Sequence, residues 1–165
     1  MKNILLILSF ISCFNLFSQE LPTEPAKGFA FPLGSKFTIK LYPTDSINFN
    51  YSIIKFEEYR GVVNLFEDEL FSETENYEEN TIEFYFCYAT TGDTEEEKEK
   101  NMKIVLKAKN RTKYILEYVS DIQREEDGEF ENTSNVGLFP NASATEMWPY
   151  MIYHIGLSDF KLIEK

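Results

Sequence analysis

Residues 102–122, MKIVLKAKNRTKYILEYVSDI, alternate apolar and polar side chains more cleanly than any other part of the chain. Ile104, Leu106 and Ala108 share one face, with Lys103, Lys107 and Lys109 opposite. After Asn110, Arg111 and Thr112 the pattern resumes, with Tyr114, Leu116, Tyr118 and Ile122 on a common face. A period of two held this long specifies two half-buried strands rather than an amphipathic helix. Two geometries bury both faces. A hairpin requires an odd-numbered loop, such as Asn110, Arg111 and Thr112, so that Leu106 and Leu116 point the same way. Alternatively, the chain crosses at Asn110 from one sheet to a facing sheet. The crossing is favoured. Residues 98–113 carry seven basic side chains, and a hairpin would set Lys109 opposite Lys113.

The flanking segments add more strands. Phe37, Ile39 and Leu41 alternate with polar neighbours, turn residues 43–46 follow, and Phe49, Tyr51 and Ile53 alternate again. At Ile53 and Ile54 the phase slips, which predicts a bulge. Phe29 to Leu33, interrupted by Pro32, suits an edge strand. Residues 81–91 are apolar on both faces and belong in the interior of the fold. Over residues 56–70 the apolar spacing is helical, but Gly61, Val62 and Val63 oppose a helix, so irregular or strand structure is expected, with a short helix over 64–70 as the alternative. Thr94 and Glu97 have capping-box spacing, which predicts one or two helical turns before the central strand.

Glu126, Asp127, Gly128 and Glu129 read as a hairpin turn in which Gly128 accepts positive φ. Residues 132–144 are loop-like. A closing strand is expected from Trp148, with Met151, Tyr153, Ile155 and Leu157 on one side and Phe160 and Leu162 at its end. With about seven to nine short strands and no βαβ alternation, the fold class is all-β and mostly antiparallel. The expected architecture is an immunoglobulin-like β-sandwich with at most one or two short helical turns. A small closed β-barrel is the alternative.

Lys2, the apolar run over residues 4–17 and Ser18, Gln19 and Glu20 have the pattern of a secretory signal. The expected organisation is a signal peptide over 1–18, a flexible arm over 19–28 and a single β domain over 29–165. The expected localisation is periplasmic or extracellular in a bacterium. Anchoring as a lipoprotein through Cys13 is a minor alternative, disfavoured by the apolar residues that follow it. Loss of the signal leaves Cys87 as the one cysteine, in an apolar run that suits an inert buried thiol. The four Asn-X-Ser/Thr sequons, at Asn50, Asn110, Asn132 and Asn141, are read as chance.

The formal charge of −12 disfavours nucleic acid and anionic membrane as partners. Apart from the signal, no run is long and apolar enough to span a membrane. No metal site and no cofactor is expected, because the chain has a single histidine and lacks HExxH, CxxC, Walker and dinucleotide-binding motifs. Asp121, Glu125 and Asp127 only loosely resemble a calcium loop. The basic residues 98–113 are read as offsetting the acids of 57–99. Trp148, Tyr150, Tyr153 and His154 form the one concentrated aromatic patch with polar tips, and are the candidate ligand-binding residues. No catalytic residue is assigned. These features point to an exported, non-catalytic domain that binds a protein or an envelope component. An apolar-ligand carrier is the alternative and requires a cavity lined by Tyr and Phe. A carboxylate-based hydrolase is the third reading, requiring convergent acids in a cleft.

Overall fold

The computed structural model describes residues 22, 24–66, 70–71 and 77–163. The expected signal segment, with Cys13, lies outside these, as do residues 19–21 and 23 of the expected arm. Among the described residues ten strands and one helix follow in order. They are β1 (Gly28–Pro32), β2 (Ser35–Pro43), β3 (Phe49–Glu58), β4 (Val62–Asn64), β5 (Thr81–Thr90), α1 (Glu95–Lys100), β6 (Lys103–Asn110), β7 (Leu116–Gln123), β8 (Phe130–Thr133), β9 (Ser143–Trp148) and β10 (His154–Leu162). They form two sheets, β1-β10-β7-β8 and β3-β2-β5-β6-β9, with β4 lying parallel to the end of β5 and every other pairing antiparallel. The sheets are separate ladders, so the molecule is a β-sandwich and the closed barrel does not form.

The central pair crosses between the sheets, the geometry that the charge pattern favours: β6 belongs to the six-stranded sheet and β7 to the four-stranded one. Asn110, fully buried at the crossing, holds it together. Its side-chain amide donates to the Tyr114 carbonyl at 2.9 Å and the Leu138 carbonyl at 3.2 Å, and its Oδ1 accepts from the Thr112 amide at 2.9 Å. Such a residue sits at the turn because its side chain substitutes for missing ladder partners.

The inward faces meet in one aromatic core. Phe31 stacks on Phe37 at 3.6 Å and Phe37 on Phe84 at 5.0 Å, while Tyr51 meets Phe160 edge-on at 5.2 Å. The rings that a carrier would use as cavity walls are thus packed against one another. The second face of β5 is also buried: Tyr85, Cys87 and Ala89 pack with Val63, Phe71 and Val105 beneath the segment that returns from β3 to β5. This second layer explains why β5 is apolar on both sides.

The bulge falls where the phase slips, with Thr38 paired to Lys55 but Ile39 to Ile53, so that Ile54 is the extra residue. α1 is capped by Thr94 and Glu97 as its spacing predicts. Over residues 56–66 the chain is strand and coil; residues 67–69 lie outside the described set. Ala26, within the expected arm, exchanges two backbone hydrogen bonds with Tyr51, at 3.0 and 2.9 Å.

Three expectations are corrected. The closing strand is two strands: β9 pairs with β6, and after Pro149 the chain crosses to the other sheet as β10. Proline has no N–H to continue a ladder, which ends β9 there. Met151 does not share the buried face with Ile155 and Leu157; it is exposed, and Ile152 is buried instead. The turn between β7 and β8 forms, but Gly128 does not use positive φ. It is accommodated by close packing, since a Cβ there would lie 3.1 Å from that of Glu125.

Candidate functional site

Position along β9 and β10 separates the four aromatic candidates. Trp148, the last residue of β9, faces inward with Ala144 and Glu146, is buried, and donates from its indole N–H to Thr133 Oγ1 at 3.3 Å. Tyr150 lies beyond Pro149 in the crossing segment and is exposed. Tyr153 is half-buried, and its backbone spans the entrance to β10, donating to the Gln123 carbonyl and accepting from the Leu33 amide, each at 2.8 Å. His154 opens β10, paired to Gln123 of β7. Its Nδ1 lies 2.6 Å from Gln123 Oε1, and Gln123 Nε2 donates to the Gly128 carbonyl at 2.7 Å. With the amide nitrogen already donating, Oε1 is the acceptor and Nδ1 carries the proton. His154 is therefore held by Gln123 on the outer side of the four-stranded sheet, and the four residues do not form one patch.

Tyr150 and Met151 instead form the ridge between two adjoining surface clefts. The first, of about 170 Å³, is walled by Tyr88, Met102, Ile104, Trp148, Pro149, Tyr150 and Met151 together with Lys103. Its side chains come from β5, β6 and the segment after β9, and the Tyr88 hydroxyl reaches Met151 Sδ at 3.8 Å. The second, of about 430 Å³, is lined by Arg124, Glu125, Gly128, Glu129 and Glu131 with Tyr150 and Met151. Here the Arg124 guanidinium lies 4.3 Å from the centre of the Tyr150 ring and 3.6 Å from Glu131 Oε1. Thioethers and aromatic rings beside carboxylates suit an adaptable contact surface.

Sequence reasoning missed several contributors. Tyr88 and Met102 arrive from distant segments, and the acids in and beside the β7–β8 turn, read from sequence as a hairpin turn, wall the second cleft. Asp121 and Glu125, aligned on paper as calcium ligands, line different clefts, Asp121 facing the one floored by Gly28 and Gly156. Two bases of the 98–113 strip pair with acids of 57–99: Lys98 with Glu95 at 2.8 Å, and Arg111 with Glu83 at 3.4 Å.

The other polar group of note is Glu146. It is buried inside the sandwich with its carboxylate taking the Tyr118 hydroxyl and the Val136 amide, and burial raises its pKa to about 7. Its immediate partner is a phenol rather than a second carboxylate. Cys87 is likewise buried, and its thiol is pushed up to about 12 by desolvation, so it is held as the inert thiol expected there. Among the described residues no helix is long and apolar enough to cross a membrane. Comparison with protein-family models, curated proteins and solved structures finds no match for this chain.

Proposed function

We propose that this chain is an exported, non-catalytic β-sandwich domain that docks a partner protein or envelope component through the ridge at Tyr150 and Met151. One observation carries this reading: exposed Met102, Tyr150 and Met151 converge on two adjoining clefts at one corner of the fold. Large apolar side chains gathered at one exposed place are costly to leave in water and are characteristic of contact surfaces. Export and loss of residues 1–18 rest on the N-terminal sequence pattern. The excess of acids supports a partner other than nucleic acid or an anionic membrane.

Site-specific photo-crosslinking tests the docking surface. A photoreactive residue at Met151, in the full chain produced in its own host, is expected to give a discrete adduct that Tyr150→Ala with Met102→Ala abolishes. The same label at Lys40, on β2, is expected to give none. Identical adducts from both positions, or an adduct insensitive to the double substitution, would refute the surface. N-terminal sequencing of the exported protein checks cleavage after Ser18.

A further inference from the structure

We infer that the partner presents a cationic side chain, arginine or lysine, which replaces Arg124 over the Tyr150 ring while a neighbouring apolar side chain enters the cleft beside Met102 and Trp148. This rests on the docking surface proposed above and specifies the chemistry of its occupant. The chain itself supplies the stand-in: a guanidinium already lies on Tyr150, within reach of Glu131. That guanidinium is held loosely. The Arg124 and Glu131 side chains are 52% and 56% exposed, and an exposed pair of this kind contributes little.

The surroundings favour a second cation. Glu125, Glu129 and Glu131 line the cleft against Arg124 as its one base, and Glu126 and Asp127 belong to the same turn. Displacing Arg124 into solvent leaves all three lining carboxylates for the newcomer, whose charge is then matched on one side by acids and on the other by a ring face. An anionic or purely apolar occupant would leave those carboxylates uncompensated.

The test uses the full chain and two fluorescent peptides of alternating residues, one of arginine and leucine, the other of citrulline and leucine. Citrulline keeps the shape and removes the charge. At physiological salt the arginine peptide is expected to bind about tenfold more tightly than the citrulline peptide, and Tyr150→Ala to weaken it about tenfold. Glu129→Gln with Glu131→Gln is expected to weaken the arginine peptide similarly, whereas the charge-matched pair Glu95→Gln with Glu96→Gln on α1 changes it less than about twofold. Arg124→Ala is expected to tighten binding about threefold, and Arg60→Ala, which removes an exposed, Glu58-paired base elsewhere, to leave it within about twofold.

Equal weakening by the two acid pairs, or no tightening in Arg124→Ala, would overturn the cation site. If both peptides bind equally and Met151→Ala weakens both, the docking surface stands and its cationic occupant does not. If neither peptide responds to Tyr150→Ala or Met151→Ala, the docking surface itself fails.

Discussion

The Tyr118 hydroxyl, on β7 of the four-stranded sheet, donates to the Glu146 carboxylate, on β9 of the six-stranded sheet. The two sheets are thereby tied at the side where β8 and β9 leave the sandwich open. The opposite side has its own tyrosine: Tyr51 of β3 donates to the Leu157 carbonyl at 2.6 Å and accepts from the Phe29 amide at 2.8 Å. The two ties differ in character. Tyr51 is fully satisfied by backbone groups. Glu146 is 7% exposed, and its Oε2 finds no donor among the described residues. Burying that carboxylate costs more than Tyr118 and the Val136 amide return, so desolvation dominates and the pKa rises to about 7.

Stability therefore depends on pH in a definite direction. The folded chain keeps the Glu146 proton up to about pH 7, whereas the ordinary value is 4.5. Between those values the native state binds more protons than the unfolded state, so stability falls as pH rises. The contribution is fully present below pH 4.5 and lost through pH 7, about 3 kcal/mol in all. Urea midpoints measured from pH 5 to 7.5 are expected to fall, and Glu146→Gln to flatten the slope. Asp45 and Glu97, both held low by hydrogen bonds, act at more acid pH and leave this window clear.

Tyr118→Phe removes the donor that pulls the Glu146 pKa down, so the apparent titration moves further up. It also leaves a buried carboxylate with the Val136 amide as its remaining donor, at a cost of about 1–3 kcal/mol above neutral pH. Replacing both partners, as Tyr118→Phe with Glu146→Leu, is expected to cost less than the sum of the single changes. A double-mutant cycle from chemical denaturation gives the coupling, and strict additivity would show that the two groups do not interact.

The crossing at Asn110 makes a separate demand. Asn110→Ala removes two donated hydrogen bonds and one accepted bond from a fully buried turn. The Tyr114 and Leu138 carbonyls are left short of partners, and the expected loss is about 2–4 kcal/mol by equilibrium denaturation. Asn110→Asp keeps the acceptor and loses the donors, so it is expected to be no better tolerated. Burial also makes Asn110 an unsuitable glycosylation acceptor, in line with its sequon being chance.

Much of this fold is legible in the chain because single residues report on local geometry. Period-two alternation locates β6 and β7, and the basic cluster chooses crossing over hairpin. The slip at Ile53 and Ile54 marks the bulge, and Thr94 with Glu97 marks α1. β9 is not legible, because its inward positions are Ala144, Glu146 and Trp148. A glutamate in the apolar phase breaks the pattern, and its compensation by Tyr118 and the Val136 amide exists only after folding. The same limit applies to the clefts. Tyr150 stands out in sequence, but Tyr88, Met102 and the acids of the β7–β8 turn join it through sheet register and crossing geometry. Trp148 and His154 separate because the chain changes sheets between them.

Cys87 offers a direct probe of the second apolar layer. It lies 1% exposed on the outer face of β5, among Tyr85, Val63 and Val105, and desolvation holds its thiol protonated up to about pH 12. Alkylation needs the thiolate and a path to it, and the native packing denies both. Iodoacetamide at pH 8 is expected to leave Cys87 unmodified for hours in the native chain and to label it fully in denaturing urea. Val63→Ala thins the cover over the thiol while leaving the main core intact, so labelling is expected to accelerate more than the loss of global stability alone predicts. Rates that track global unfolding in both proteins would mean that the segment covering β5 opens only when the whole sandwich does.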